Sequence, residues 1–180
     1  MSTEKKLLAQ NRLKEFIRDI PDFPKPGIIF KDITPLLQNA LAFESTISLL
    51  ANRFEGKEVD QIAGIESRGF IFAAALALQM KKGFVPVRKK GKLPWKTHRV
   101  SYQLEYGEDV LEIHQDAVWE GARILLIDDV LATGGTAQAV TGLIRKVGGI
   151  VSGVGVVIEL AFLNGRDKLE GLETHSLIQY

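Results

Sequence analysis

Four runs rich in Val, Ile and Leu, at Gln61–Ile65, Phe84–Arg88, Arg123–Ile127 and Ile150–Leu160, show no regular polar alternation along their length. A strand wetted on one face alternates apolar with polar residues, so such runs belong to strands buried on both faces. Helical patterns separate them: an alanine-rich stretch, Phe70–Met80, follows the first, and a stretch from about Thr136 to Val147 follows the third. Strand alternating with helix predicts an α/β fold with a mainly parallel central sheet flanked by helices. Pro86 has no amide hydrogen to give a ladder, which puts the second run near a sheet edge or strand end. Gly153 and Gly155 lie inside the last run with no third glycine to complete a dinucleotide fingerprint, and read as packing glycines.

Two regions break the repeat. Residues 1–50 read as a helix, the proline- and glycine-rich PDFPKPGIIF, and a second helix around Ala42–Phe54. Gly91–Glu108 reads as a long polar connection, and connections of that length without structure of their own are usually lids or disorder. A length of 180 residues with 46% hydrophobic content suits one domain around one good core. The 23 basic and 22 acidic residues leave a net charge of +1, which supplies no global field for nucleic acid. Without cysteine there are no disulfides, thiolate metal sites or cysteine nucleophiles. The N-terminal segment MSTEKKLLAQNRLKEF is charged and helix-periodic, unlike a signal peptide, and no apolar run reaches the ~18 residues of a membrane span. The expectation is a cytoplasmic protein with neither nucleic acid nor membrane as partner.

The third run continues as ILLIDDVLATGGT, Ile124–Thr136, which places two acids at a strand end and a glycine–threonine turn at the start of a helix. Ligands of open α/β sheets bind at the carboxyl ends of strands. Gly134 and Gly135 let the backbone approach an anion closely; Thr133 and Thr136 add hydroxyls, and the helix adds unpaired N–H groups and a positive dipole end. That suits a phosphate monoester. Asp128 and Asp129 would repel a phosphate, and their natural match is a pair of vicinal ribose hydroxyls, which are donors. The competing reading is a plain strand–loop–helix junction with a glycine turn. A Walker phosphate loop is excluded, because no Gly-Lys-Ser/Thr follows any glycine run.

The LLIDDVLATGGT segment resembles the signature of the type I phosphoribosyltransferases. PDFPKPGIIFKDITPLL, GIESRGFIF, VPVRKKGKLP and SYQLEYGEDVLEI, in this order, are similar to those members of the family that act on adenine. The resemblance runs from about Pro21 to the C-terminus and implies the type I phosphoribosyltransferase fold: one domain over 1–180, with a base-binding hood from about 1–35 and a flexible lid from about 91–108. It implies transfer of phosphoribose from phosphoribosyl pyrophosphate to adenine, giving AMP and pyrophosphate, with Mg2+ held mainly by substrate and water and not by direct protein ligands. Rivals are the same chemistry on hypoxanthine, guanine or xanthine, and a phosphoribosyltransferase-like regulator that binds nucleic acid.

By the same resemblance Asp128 and Asp129 face the ribose, and Ala132, Thr133, Gly134, Gly135 and Thr136 cradle the 5-phosphate. Glu66, Ser67, Arg68 and Gly69 form a pyrophosphate turn, with a cis peptide expected at Glu66–Ser67 and Arg68 acting in catalysis. Read alone, the same four residues are a polar turn with a solvated arginine. Adenine would stack on Phe30, meet backbone groups of Ile29 and Lys31, and be covered by Val130; taken alone, Phe30 is equally an ordinary core aromatic. Lys31 stands where the family often has arginine, and Trp95 where glycine is common. Glu105, flanked on the lid by Tyr102 and Tyr106, is the acid–base or charge-stabilising candidate; without its neighbours it reads as a solvated loop glutamate. Arg88 and Lys92, in a charge run that would otherwise be a solvated face, would reach the partner's pyrophosphate site in a homodimer. His98, His114 and His175 are scattered and read as structural or solvated.

Overall fold

The computed structural model describes residues 10–104 and 107–180. After a short helical turn ending at Phe16, the chain forms β1 (Arg18–Pro21) and β2 (Ile29–Asp32), an antiparallel pair separate from the main sheet. Helices α1 (Thr34–Gln38) and α2 (Ala40–Arg53) follow. Asn39 caps α2 by accepting the Ala42 amide at 2.9 Å. Then come β3 (Gln61–Ile65), α3 (Gly69–Met80), β4 (Gly83–Lys89), β5 (Thr97–Leu104), β6 (Gly107–His114), β7 (Arg123–Leu131), α4 (Gly135–Lys146), β8 (Ile150–Glu159) and β9 (Thr174–Gln179).

The seven-stranded sheet runs β5-β6-β4-β3-β7-β8-β9. Its β4-β3-β7-β8-β9 portion is parallel, with β6 and β5 added antiparallel at one edge. Both faces are covered. Ile62, Leu125 and Ile127 pack with Phe72 and Leu76 of α3 and Leu50 of α2, whereas Ala63, Ile65, Ile124 and Leu126 pack with Val140, Leu143 and Ile144 of α4. Gly153 and Gly155 carry the ring of Phe54: a Cβ at either would lie 2.9 Å from that ring.

β3 returns through α3 to β4, and β7 through α4 to β8, so the crossovers leave neighbouring strands in opposite directions along the sheet. The carboxyl ends of β3 and β7 therefore flank a topological switch point, the crevice where such sheets bind ligands. β6 meets β4 only at Arg88 and Lys89, so Pro86 faces no partner on that side and needs no amide hydrogen there.

The segment expected to be a structureless connection is largely a hairpin, β5 pairing with β6 from Thr97↔His114 to Leu104↔Gly107. Its sequence has the period of a strand: Val100 and Tyr102 pack on the same cluster as Leu111 and Ile113, while Arg99 and Ser101 face outward. Two further strand regions were not anticipated, the β1–β2 pair and β9, whose sequence THSLIQ is too polar to stand out as a buried strand.

Candidate active site

At the switch point β7 carries Asp128 and Asp129 near its carboxyl end and runs on to Leu131, and the chain turns through Ala132–Gly134 into α4. Gly134 has φ +77°, a left-handed conformation that disfavours a side chain, and no side chain caps α4. The first amides of the helix are thus left for an external acceptor. A small cradle of about 80 Å³, lined by Asp128, Val130–Ala137 and Val156, lies over them. With liquid water occupying about 30 Å³ per molecule, that is room for a phosphate-sized anion. The Tyr102 hydroxyl, on the hairpin, meets Thr136 and lies 3.4 Å from Asp109, so hairpin and loop touch.

Asp128 and Asp129 are held at the bottom of the cleft. Burial, and then the neighbouring Asp129 charge, push the Asp128 carboxyl well above the usual range; its Oδ1 accepts the Asp129 amide at 2.9 Å. Burial also raises Asp129, which is 6% exposed, against the pull of Arg68. Arg68 Nε lies 2.7 Å from Asp129 Oδ2, an ion pair without hydrogen-bond geometry, so this buried oxygen still lacks a hydrogen-bond donor. An unmet buried acceptor at a strand end is what a hydroxyl ligand would satisfy.

The turn after β3 comes close to these acids. The Glu66–Ser67 peptide is cis, and Glu66 N–H donates to Val87 O at 2.9 Å. A Cβ on Gly69 would fall 2.6 Å from Asp128 Oδ1, so glycine is what allows the turn to pack against the acid pair. The Arg68 guanidinium also lies 4.8 Å over the ring of Phe30 on β2, joining three sequence segments at one point. Phe23 packs edge-on against Phe30 at 5.2 Å. Ile29 is exposed, and Val130 is half-buried against the α2–α3 side of the core. The Lys31 amine is engaged elsewhere, 2.7 Å from Asp19 and 3.7 Å from the Tyr180 ring centre.

Asp128, Asp129, Val130, Ala132–Thr136, Glu66–Gly69 and Phe30 are thus brought together. Within this chain Arg88 holds the turn after β3: its Nε and Nη2 donate to Glu66 at 3.1 and 3.2 Å, and the Lys89 amide donates to Glu66 at 3.0 Å. This pairing holds the Glu66 carboxyl below its usual range. Lys92 is exposed, and its carbonyl accepts from Arg88 at 2.9 Å. Glu105 and Tyr106 lie outside the described residues. His98 lies on β5; His114 accepts a long 3.4 Å bond from the Trp95 amide, and His175 pairs with Glu173. Not legible in the sequence were Tyr102's contact with Thr136 and the glycine at 165, which abuts the Ala132–Gly134 turn and carries no motif of its own.

A larger cavity, about 580 Å³, lies elsewhere, between the N-terminal turn and β9, lined by Lys14, Arg53, Arg166 and His175. It contains none of the paired acids, glycine turn or unmet acceptor, so chemistry and not size locates the site. Among the described residues no helix is long and apolar enough to cross a membrane, and no three His, Asp or Glu side chains are grouped to hold a metal ion.

A model of the phosphoribosyl transferase domain matches residues 32–174. The adenine phosphoribosyltransferase of Kosmotoga olearia is 56% identical over 168 residues, 93% of this chain and 99% of its own. The crystal structure of adenine phosphoribosyltransferase from Thermoanaerobacter pseudethanolicus superposes with a TM-score of 0.93 at 53% identity, covering 95% of this chain and 99% of that one. That of the Saccharomyces cerevisiae enzyme, complexed with an imino-altritol bisphosphate and adenine, does so with 0.90 at 38% identity over 95% and 99%. The chain belongs to the phosphoribosyltransferase family, within its adenine phosphoribosyltransferase branch.

Proposed function

We propose that the protein transfers the 5-phosphoribosyl group from phosphoribosyl pyrophosphate to adenine, giving AMP and pyrophosphate, the purine-salvage reaction of the relatives it matches. The observation that carries this is Arg68, whose guanidinium spans the ring of Phe30 and the carboxylate of Asp129. A base-stacking ring, ribose acceptors and a leaving-group cation are within one side chain's reach.

In the reaction the bond from C1′ to the pyrophosphate oxygen breaks, the bond from C1′ to N9 of adenine forms, and the N9 proton departs. Asp128 and Asp129 accept hydrogen bonds from the ribose hydroxyls, and the α4 amides with Thr133 and Thr136 hold the 5-phosphate. Ser67, Gly69 and Arg68 meet the pyrophosphate and stabilise the charge that grows on it in an oxocarbenium-like transition state. Adenine lies between Phe30 and Val130, read by backbone groups of Ile29 and Lys31, and Glu105 is the acid–base or charge-stabilising group. Water is kept out by the hairpin closing over the site.

Mg2+ belongs to the same proposal: bound with the substrate it offsets the pyrophosphate charge. It would be held mainly by substrate oxygens and water and by no direct protein ligand, in keeping with magnesium's preference for phosphates over all-protein cages. A homodimer is proposed because α3, free of charged residues and leading straight from the pyrophosphate turn, exposes Ile71 at 40% and Leu78 at 82%. Arg88 and Lys92 would then lie at its interface and reach the partner's pyrophosphate site, and sedimentation would show a mass twice the chain's 19.9 kDa. A cytoplasmic location completes the proposal.

The test is turnover of adenine, hypoxanthine, guanine and xanthine with phosphoribosyl pyrophosphate and magnesium. AMP and pyrophosphate should form from adenine at a kcat/KM at least 100-fold above the other bases. Absence of AMP would overturn the reading, and equal use of hypoxanthine would overturn the base assignment.

A further inference from the structure

The phosphate cradle is built against a second piece of backbone. A Cβ on Gly134 would lie 2.2 Å from the carbonyl oxygen of Gly165, and one on Gly165 would lie 2.1 Å from the Ala132 oxygen and 2.9 Å from the Gly134 nitrogen. Neither chain has room for a methyl group, so the two backbones interlock. Asn164, with φ +51°, starts the turn that brings Gly165 inward, where it is buried.

An anchor holds that turn. Arg166 Nε donates to Glu159 Oε1 at 2.9 Å, its Nη2 reaches Glu159 Oε2, and its Nη1 donates to Thr174 O at 2.6 Å. Ser176 and Gln179 of β9 add bonds to the same carboxylate at 2.6 and 3.1 Å. Glu159 is only 5% exposed and sits opposite Leu131 in the β7–β8 ladder, one residue before Ala132. The Leu160 amide donates to Leu131 O at 2.9 Å, closing the frame. The strand that delivers the cradle and the arginine that fixes its back wall are therefore tied to one buried carboxylate. A shape this tightly defined on both sides transmits displacement.

We propose that Gly165 is a positioning residue for the 5-phosphate, and that the Glu159–Arg166 pair sets where it stands. The inference rests on reading Ala132–Thr136 as the phosphate cradle. A methyl group at 165 moves the Ala132–Gly134 backbone by about 1 Å, enough to take amide hydrogen bonds out of range, and misplacements of that size cost on the order of 100-fold.

The experiment compares Gly165→Ala, Glu159→Gln and Arg166→Lys with Thr136→Val, a change inside the cradle. Each is measured for KM of phosphoribosyl pyrophosphate, KM of adenine, kcat, AMP affinity and melting temperature. Gly165→Ala is expected to raise the phosphoribosyl pyrophosphate KM and weaken AMP at least 10-fold, with the adenine KM within twofold. Arg166→Lys, which keeps the charge but loses the fork, should show the same split at about 3- to 10-fold, and Glu159→Gln likewise. A loss of folded fraction would lower apparent kcat and leave both KM values alone. If Thr136→Val leaves AMP affinity unchanged, the cradle reading itself falls. If Thr136→Val weakens AMP while folded Gly165→Ala binds it normally, the positioning role is overturned. Should Gly165→Ala not fold, normal AMP binding by both anchor variants overturns the proposal, and the KM split in either supports it.

Discussion

Asp128→Asn should make the empty protein more stable and the working protein worse. Asp128 is half-buried in the cleft beside a second carboxylate, and Arg68, the nearby cation, is paired with Asp129. Among the described residues Asp128 forms no ion pair; its compensation is the Asp129 amide at 2.9 Å. One charge-assisted hydrogen bond returns about 1.5–3 kcal/mol, whereas removing a carboxylate from water costs several kcal/mol even after relaxation. The ionised group therefore leaves a net penalty of about 1–3 kcal/mol. Asparagine keeps the acceptor for that amide, and its Nδ2 donates to the Asp129 carboxylate that the native Asp128 carboxylate repels.

The pH dependence has a definite sign. Burial raises the folded pKa of Asp128 above its unfolded value, so the protein is most stable below the unfolded value and loses stability as pH rises through the folded one. The advantage of Asp128→Asn should accordingly be small near pH 4 and larger at pH 8. At 180 residues, about 2–4 °C accompanies each kcal/mol, so the expected gain at pH 8 is roughly 2–12 °C. The assay is thermal melting at fixed protein concentration and two pH values, with AMP titrations alongside. Loss of a charge-assisted bond to ribose should weaken AMP by about 1–3 kcal/mol, or 5- to 150-fold. A variant no more stable than wild type at pH 8, or an advantage equal at both pH values, refutes the energetic reasoning. Unchanged AMP affinity refutes the ribose assignment.

Arg68→Ala should lower kcat far more than it raises the phosphoribosyl pyrophosphate KM, because leaving-group charge grows in the transition state; a normal kcat with only a raised KM would count against that role. Since Arg68 covers the ring of Phe30 when the site is empty, adenine should bind the wild type more tightly with magnesium pyrophosphate present, and calorimetry showing no such gain would remove the stacking assignment. Gly69→Ala places a Cβ 2.6 Å from Asp128 Oδ1 and should cut kcat/KM about 100-fold by lifting the turn from the acid pair, as read by steady-state kinetics. Glu159 titrates at about 2, against an ordinary 4.5, because Arg166 hydrogen-bonds its charged form; the stability this gives is present above about pH 4.5 and lost as pH falls towards 2. That loss amounts to about 2–3 kcal/mol in urea unfolding, and Glu159→Gln should flatten the acid limb by this amount.

The parallel strands were readable because burial on both faces removes polar residues from them, and β3, β4, β7 and β8 are recognisable for that reason. The hairpin was not, because β6 meets β4 at just two residues, and the apolar positions of β5 and β6 are interrupted by Arg99, Ser101 and Asp109 and by Glu112, a buried charge paired with Arg99. The candidate site divides the same way. Asp128 through Thr136 is one continuous segment, so acids, glycines and threonines can be recognised from spacing alone. Arg68 could be named from its segment, but its resting place could not: the contacts to Phe30 and Asp129 each join positions far apart in the chain.

Gly165 and Glu159 show the limit most clearly. A glycine between Asn164 and Arg166 looks like any turn, and a glutamate ending a strand looks like a solvated charge. What makes them consequential is a shape constraint, two backbones with no room for a methyl group, and a charge constraint, one buried carboxylate shared by an arginine, a serine and a glutamine. Neither constraint has a sequence period or a fixed offset. The proposed phosphate site is therefore local in its donors and global in its shape: the motif supplies amides and hydroxyls, and the segment from Glu159 to Gln179 fixes the backbone that carries them.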